Sequence, residues 1–175
     1  MFSVIFPGQG SQSVGMGKEF YNKYPCVREL FQEADDKFKF SFSNLLINGP
    51  KDKIDNTENT QPAIFLVGYS IFKLLKKEFN IDLNRAEFFA GHSLGEYTAL
   101  ACSNKLSLKD ASLILKKRGE LMNNAVSPNL SGMAALIGKD STYVQKIIDD
   151  NDIKLEIAND NSPKQVVLSL SLIHI

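Results

Sequence analysis

The segment 91–95, with the sequence GHSLG, has residue types and a spacing that could do covalent chemistry. It follows an expected strand at 87–90, which is apolar after Glu87, and precedes a helical pattern, which predicts a sharp strand-to-helix turn. The glycines let strand and helix approach closely, and a strained serine backbone projects its hydroxyl outwards. The pattern predicts that Ser93 is a nucleophile that takes up an acyl group. The alternative is a tight packing turn whose serine only caps the helix.

A nucleophilic serine also needs donors for the oxyanion that its attack creates. The helix start supplies free backbone N–H groups and a partial positive charge, so Leu94 N–H is the expected first donor. The glycine-rich loop 7–12 would emerge at the same edge of a parallel sheet and is the natural source of the second donor. A phosphate-binding loop is not predicted there, because Ser13 stands where G-x-G-x-x-G requires its third glycine.

The general base for Ser93 is not evident among the two histidines of the chain. His92 adjoins Ser93, but adjacent side chains in a sharply turned segment point apart, so we expect it to support the turn from behind. His174 is the penultimate residue, and an unanchored tail is a poor place for a base that must stay within hydrogen-bond reach. Neither is predicted to be the base.

The bulk composition restricts the class of protein. The 175 residues carry 20 Lys and Arg against 20 Asp and Glu, which argues against a nucleic-acid partner. No run approaches the ~20 apolar residues of a membrane span, and the apolar run 2–6 lacks the basic start of a signal peptide. We therefore expect a cytoplasmic protein with no membrane contact.

The cysteines do not indicate a metal site or a disulfide. Cys26 and Cys102 lie far apart, without a C-x-x-C partner or a nearby histidine. Two reduced, partly buried thiols are expected.

Alternating strand and helix patterns predict the fold class. Strands are expected at 2–6 and 87–90, and helices over 27–38 and 96–102. This alternation favours an α/β layer structure with parallel strands. The polar segment 42–59 contains Gly-Pro and is expected to be loop with at most one short helix.

Capping patterns predict the limits of two longer helices. Thr60 precedes a proline at 62, which predicts an N-cap at Thr60 and a helix running to near Asn80. Ser107 and Asp110 are three residues apart and predict a capping pair for a helix through Met122.

The pattern changes after Ser127-Pro128. The expected elements are a strand at 132–138, a helix at 143–149 and strands at 155–158 and 165–169. This β-α-β-β order is typical of the opening of a ferredoxin-like unit, which needs one more helix and strand. We therefore expect domains at 1–127 and 128–169, followed by a tail at 170–175.

Six motifs occur in an order that belongs to a known family: PGQGSQ at 7–12, TQPA at 60–63, GHSLGEY at 91–97, RGELM at 118–122, GMAALIG at 132–138 and NSPKQVVLS at 161–169. Together they resemble the malonyl-CoA:acyl carrier protein transacylases, over residues 2 to about 169. The resemblance implies a serine-hydrolase-like α/β large domain with a parallel sheet, and a ferredoxin-like small subdomain that is incomplete here. It implies no cofactor and a monomer when full-length.

The resemblance also assigns roles to individual residues. Ser93 matches the acylated nucleophile, Gln9 and Leu94 the oxyanion-hole amides, Arg118 the arginine that grips the malonyl carboxylate, and Gln61 and Met122 pocket-lining positions. A planar guanidinium can bind a carboxylate through two parallel hydrogen bonds, which suits the role of Arg118. From the residues alone, a surface salt bridge explains Arg118 as well.

The implied reaction is a two-step exchange between two partners, malonyl-CoA and acyl carrier protein. Ser93 attacks the thioester of malonyl-CoA, and the phosphopantetheine thiol of the carrier then removes the malonyl group. Family members continue well beyond residue 175, and that portion holds their catalytic histidine. Leu170 stands where the family has a glycine. We therefore expect an N-terminal portion without the catalytic base, ending in an unrelated tail at 170–175.

Three other functions stay open at this stage. A polyketide-synthase acyltransferase domain shares most of the motifs. A serine esterase or lipase-like hydrolase would use the same turn, although it has no need of a carboxylate clamp at Arg118 or of the PGQGSQ loop. The third alternative is a non-catalytic fragment that at most binds coenzyme A or carrier protein.

Overall fold

The computed structural model describes residues 1–125 and 130–171, and its contacts divide the chain into two compact units, Met1–Asn123 and Asn124–Ile175. The elements in order are β1 (Ser3–Phe6), α1 (Lys18–Lys23), α2 (Pro25–Phe38), α3 (Phe42–Asn48), α4 (Lys51–Asp55), α5 (Thr57–Phe79), a 3₁₀ turn (Leu83–Arg85), β2 (Phe88–Gly91), α6 (Leu94–Cys102), α7 (Leu108–Asn124), β3 (Ser131–Ile137), α8 (Ser141–Asp150), β4 (Leu155–Ser162) and β5 (Gln165–Ser171). The fold is mixed α/β, as predicted.

The first unit contains a pair of parallel strands, β1 and β2, in which Ser3 lies opposite Phe88 and Phe6 opposite Gly91. Because the strands are parallel, the chain leaves both at the same edge of the sheet. The loop 7–12 and the turn at Ser93 therefore begin side by side, as the sequence predicts.

Helices bury one side of this strand pair. Phe6 packs with Phe72, Ala99 and Cys102 in a small cluster behind β1. A larger core joins helices α2 to α7 and includes the fully buried side chains of Phe31, Phe42, Phe65, Leu46 and Leu115. Each such side chain contributes about 1.5–3 kcal/mol through burial, which makes helix packing the main support of this unit.

The expected loop at 42–59 is wrong, because most of it is helical. Two short helices, α3 and α4, fill this stretch, and Leu45, Leu46 and Ile54 are buried. The expected N-cap at Thr60 is wrong for the same reason. The cap is Asn56, whose side chain accepts from Glu58 N at 3.3 Å, and Thr60 is a buried helical residue.

The other helix limits agree with the sequence. Helix α5 ends before Asn80, which adopts the left-handed conformation with φ of 57°. At the start of α7, Asp110 N donates to Ser107 Oγ at 3.1 Å and the Ser107 hydroxyl donates back to Asp110 Oδ2 at 2.6 Å. Helix α1 was not predicted, because none of its side chains is buried and it lacks an apolar stripe.

The second unit is a three-stranded antiparallel sheet in the order β3-β5-β4. Val144 and Ile148 of α8 pack against Val166 and Leu168 of the sheet. The predicted β-α-β-β element order is confirmed. The predicted domain boundary at Ser127-Pro128 and most of the predicted tail at 170–175, His174 included, lie outside the described residues.

Within residues 1–125 and 130–171, no helix is both long enough and apolar enough to cross a membrane.

Candidate active site

The turn after β2 holds Ser93 in a conformation that only glycine adopts easily. Its φ is 55° and its ψ is −111°, and the residue is exposed. A Cβ added at Gly91 would lie 1.9 Å from the Gly95 carbonyl carbon, so residue 91 must be glycine for the turn to close. Ser93 occupies the N-cap position of α6 but makes no capping hydrogen bond with its side chain. The hypothesis that it only caps the helix is therefore wrong.

Backbone contacts fix the turn against the end of β1. His92 N donates to Phe6 O at 3.1 Å, and Gly95 N donates to His92 O at 2.9 Å. Leu94, the first residue of α6, has a fully buried side chain, which anchors its peptide group. The first amides of a helix have no carbonyl acceptor inside it, so the Leu94 N–H can serve an anion at Ser93.

The loop 7–12 lies against this turn. The His92 imidazole packs on Gly8, where an added Cβ would lie 2.4 Å from His92 Nδ1. The next residue, Gln9, turns its side chain to α5, and its Nε2 donates to Thr57 Oγ1 at 3.2 Å. The turn and the loop are thus in contact through the residues that flank Ser93 and Gln9.

Arg118 of α7 reaches the nucleophile directly. Its Nη2 donates to Ser93 Oγ at 3.0 Å, its Nη1 donates to Gln61 Oε1 at 2.7 Å, and its Cζ lies 6.0 Å from the ring centroid of Tyr97. Among the described residues, no carboxylate lies within salt-bridge distance of this guanidinium. A surface salt bridge therefore does not explain Arg118 in the described part of the chain.

Gln61 holds Arg118 from behind. Its side chain is fully buried, and besides accepting from Arg118 it donates through Nε2 to Met122 Sδ at 3.2 Å. Arg118 and Met122 are four residues apart and share one face of α7. The close approach of α7 to α5 depends on Gly119, where a Cβ would lie 2.4 Å from Glu58 Cα.

Residues 3–173 match the family model described as acyl transferase domain. The chain belongs to this family. Two proteins named malonyl CoA-acyl carrier protein transacylase are similar to this chain. The one from Bacillus subtilis (strain 168) is 40% identical to it over 170 residues, and the one from Haemophilus influenzae is 37% identical over 171 residues. These matches cover 95% and 96% of this acyl transferase domain, but 52% and 54% of the relatives. The chain thus spans about half the length of the curated relatives it matches.

Solved structures give the same picture. An acyl-carrier-protein-S-malonyltransferase from Bartonella henselae superposes with a TM-score of 0.90 at 36% identity, covering 98% of this chain and 55% of that one. A structure titled as a type II PKS acyl-carrier protein in complex with its malonyl-transacylase superposes with a TM-score of 0.88 at 32% identity, covering 97% and 55%.

The acyl transferase domain thus brings most of the predicted site residues together. Direct hydrogen bonds link Ser93, Arg118, Gln61 and Met122 in one chain of contacts. Leu94 adjoins the nucleophile, and Gln9 and His92 lie in the adjoining loop and turn. Within the described residues, no group of three His, Cys, Asp or Glu side chains could hold a metal ion.

Two residues that contribute to this site are not predicted from the sequence. Tyr97 supplies the aromatic ring near Arg118, and its position four residues after Ser93 on α6 was the available signal. Thr57 accepts a hydrogen bond from the Gln9 side chain. Because Thr57 lies in a segment expected to be loop, nothing in the sequence predicts that it contacts Gln9.

Proposed function

We propose that the protein transfers a malonyl group from malonyl-CoA, through an ester on Ser93, to the phosphopantetheine thiol of an acyl carrier protein. The observation that carries this proposal is the 3.0 Å contact between Arg118 Nη2 and Ser93 Oγ. A permanent cation beside the nucleophile suits an acyl group that carries a negative charge, and it offers nothing to a neutral one. The names of the relatives support the same substrate.

The geometry suits malonyl in particular. One methylene separates its acyl carbon from its carboxylate, so an ester on Ser93 keeps the carboxylate close to the serine oxygen, where Arg118 already lies. Gln61 retains Nη1 of the guanidinium, which leaves Nη2 to exchange the serine hydroxyl for a substrate carboxylate. Met122, half exposed beside Gln61, would line the same pocket.

Each half-reaction passes through a tetrahedral oxyanion. In the first, Ser93 Oγ loses its proton and attacks the thioester carbon; the C–S bond breaks, and the coenzyme A sulfur leaves and is protonated. In the second, the carrier thiol loses its proton and attacks the ester carbon, and Oγ leaves and regains a proton. The Gln9 and Leu94 N–H groups are proposed to donate to the oxyanion in both steps.

We also propose that the general base lies outside these 175 residues. Relatives are nearly twice as long as this chain, and His92 packs on Gly8, which suits a supporting residue. His174 lies outside the described residues.

For the architecture, we propose that residues 1–127 form the N-terminal part of a serine-hydrolase-like α/β domain. We propose that residues 128–169 form the first part of a ferredoxin-like subdomain. The antiparallel order β3-β5-β4 with α8 on one face supports the second assignment. We further propose that the full-length enzyme is a cytoplasmic monomer that uses no cofactor.

The test is acylation of Ser93 in this chain. The chain is incubated with malonyl-CoA or acetyl-CoA, and the peptide containing Ser93 is weighed by mass spectrometry, with Ser93→Ala as control. The malonyl increment on Ser93 is expected to form slowly, because the proposed base is absent and only the oxyanion donors and binding remain, but faster than the acetyl increment. Equal use of both donors would favour an esterase, and no adduct on the folded protein would favour a non-catalytic fragment.

The carrier of a polyketide synthase is the second candidate acceptor, because one structural relative is titled as a complex with such a carrier. Full-length protein loaded with malonyl can be offered both kinds of carrier. Faster transfer to the polyketide carrier would favour this second function.

A further inference from the structure

Side chains of loop 7–12 hold both peptide groups that flank Gln9. The Ser11 hydroxyl donates to Gly8 O at 3.2 Å, and Gly10 N donates to Gln12 Oε1 at 2.8 Å. In a planar trans peptide the C=O and N–H bonds point in opposite directions. The contact from Ser11 to Gly8 O therefore sets the direction of the Gln9 N–H, and the contact to Gln12 fixes the peptide that follows.

Gln12 is itself anchored outside the loop. Its Nε2 donates to Asp55 Oδ1 at 3.2 Å, and the Asp55 carboxylate also pairs with Lys51 one turn earlier in α4. Hydrogen bonds from Lys51 and then from Gln12 lower the pKa of Asp55, so this acceptor stays ionised. The amide orientation of Gln12 is unambiguous, because an N–H group can only donate and a carboxylate can only accept.

This loop needs such support. Gly8 packs on His92, whose Nδ1 would lie 2.4 Å from an added Cβ, and Gly10 has a φ of 109°, a conformation that other residues rarely adopt. Two glycines around Gln9 leave the backbone free to rotate unless other groups restrain it. An oxyanion donor is effective only when it is already aimed at the site where charge develops.

We propose that Gln12, anchored on Asp55, is a positioning residue: it holds the Gly10 N–H and so fixes the peptide after Gln9, and together with Ser11 it keeps the Gln9 N–H aimed at the oxyanion formed above Ser93. The proposal rests on the proposed function, since it assigns Gln12 and Asp55 to the same acyl-transfer site. The junction of α4 and α5 then supports loop 7–12 at two points, because Asp55 accepts from Gln12 and Thr57 accepts from the Gln9 side chain.

The first experiment measures the residual rate at which malonyl-CoA acylates Ser93 in the 175-residue chain, a rate that depends on the oxyanion donors because the proposed base is absent. We expect Gln12→Ala to lower the maximal rate ~10-fold, because loss of a whole oxyanion donor costs ~10²–10³-fold and a misaimed donor keeps part of its effect. The half-saturating malonyl-CoA concentration should stay within about twofold, since Gln12 is not placed on the substrate. Gln32→Ala is the matched control, because Gln32 makes the same amide-to-carboxylate bond to Asp36 on an exposed face of α2.

A reciprocal exchange tests the Gln12–Asp55 contact itself. Asp55→Asn keeps an acceptor for Gln12 and should retain the rate, whereas Gln12→Glu faces the Asp55 carboxylate and should behave like Gln12→Ala. The double variant Gln12→Glu/Asp55→Asn restores a donor and an acceptor in reversed positions, and we expect it to recover most of the rate. Failure of this rescue, with the single and double variants folded, would overturn the positioning role of Gln12.

The second experiment does not depend on activity. The Gly10 amide should exchange with solvent at least ~10-fold faster in Gln12→Ala than in the wild type, while Gln32→Ala leaves it unchanged. If the wild type forms no malonyl-serine, the proposed function fails for this chain, and Gly10 exchange still decides whether Gln12 holds the loop. If Ser93 is acylated but Gln12→Ala matches Gln32→Ala in both measurements, the positioning role of Gln12 is wrong and the proposed function stands.

Discussion

Arg118 Nη2 donates to Ser93 Oγ at 3.0 Å while Nη1 of the same guanidinium donates to the buried Gln61 at 2.7 Å. The two nitrogens thus face partners of different kinds. Gln61 is fixed in the core, whereas the Ser93 hydroxyl lies at the surface. A hydrogen bond to a carboxylate is stronger than one to a hydroxyl, so the carboxylate of the proposed malonyl substrate can take over Nη2 without disturbing the Gln61 contact. Once the carboxylate accepts from Nη2 in its place, Ser93 Oγ would be free to attack the acyl carbon.

The first prediction concerns selectivity for malonyl. Arg118→Ala should slow acylation of Ser93 by malonyl-CoA by ~10²–10³-fold, since truncating one partner of a charge pair in a binding site costs about 2–5 kcal/mol. Acetyl-CoA should be used at an unchanged or higher rate, because Arg118 no longer occupies the serine oxygen. Competition between the two donors, read by mass on the Ser93 peptide, measures the ratio.

Two further variants sharpen this test. Arg118→Lys keeps the charge but cannot contact both Ser93 and Gln61, so it should recover only part of the malonyl preference. Arg85→Ala is the control: it removes an arginine from the 3₁₀ turn and should change the acylation rate with neither malonyl-CoA nor acetyl-CoA. Equal losses with malonyl-CoA and acetyl-CoA in Arg118→Ala would contradict a carboxylate-binding role.

The second prediction separates the two contacts of Gln61. Gln61→Ala opens a buried space and removes the partners of Arg118 and Met122, which should lower the free energy of unfolding by about 2–4 kcal/mol. Gln61→Glu should destabilise less, because its carboxylate can pair with the guanidinium. That internal ion pair competes with the substrate carboxylate, so malonyl acylation should still fall. Urea unfolding measures the stability of each variant, and the acylation rate measures its use of malonyl-CoA. If Gln61→Glu lost as much stability as Gln61→Ala, the predicted pairing of its carboxylate with Arg118 would be wrong.

The sequence predicted the turn and the strand pair well, because local chemistry determines both. The glycines at 91 and 95 and the apolar run before them reflect a steric need that is visible in five residues. The α3–α4 segment was missed for the opposite reason. Its polar and Gly-Pro character favours loop locally, whereas burial of Leu45, Leu46 and Ile54 against distant helices makes it helical. The N-cap at Asn56 was missed with it.

The site shows the same division between local and distant determinants. Ser93 and Leu94 followed from the turn itself, and Arg118 became specific only through the family resemblance. Its contacts to Gln61 and Ser93 span 57 and 25 residues. Gln12 and Asp55, which are 43 residues apart, belong to no spacing rule. Only tertiary packing brings such pairs together, so a single sequence does not reveal them.

The third prediction concerns the backbone strain at Ser93. With φ of 55° and ψ of −111°, a residue with a Cβ is strained by about 1–3 kcal/mol. Ser93→Gly should therefore unfold with a free energy about 1 kcal/mol higher than Ser93→Ala, although both lack the hydroxyl. The same pair of substitutions at Ser103, where φ is −82°, should show no advantage for glycine. Chemical denaturation measures all four variants, and a more stable Ser93→Ala than Ser93→Gly would rule out strain.

The last prediction follows from Cys102, which is fully buried behind β1. Burial raises the pKa of the Cys102 thiol from 9.0 to about 12, an effect that Lys73 partly opposes. Because the pKa of the Cys102 thiol is higher in the folded chain than in the unfolded chain, the stability that the protonated thiol contributes is fully present below pH 9. It should be lost by roughly 1 kcal/mol per pH unit as the pH rises towards 12. Cys102→Ala should be less stable at pH 8, because it leaves a cavity, but should lose stability less steeply above pH 9. Urea unfolding at pH 8, 9, 10 and 11 measures the difference between wild type and variant, and parallel pH profiles would show that Cys102 does not stay protonated in the folded chain.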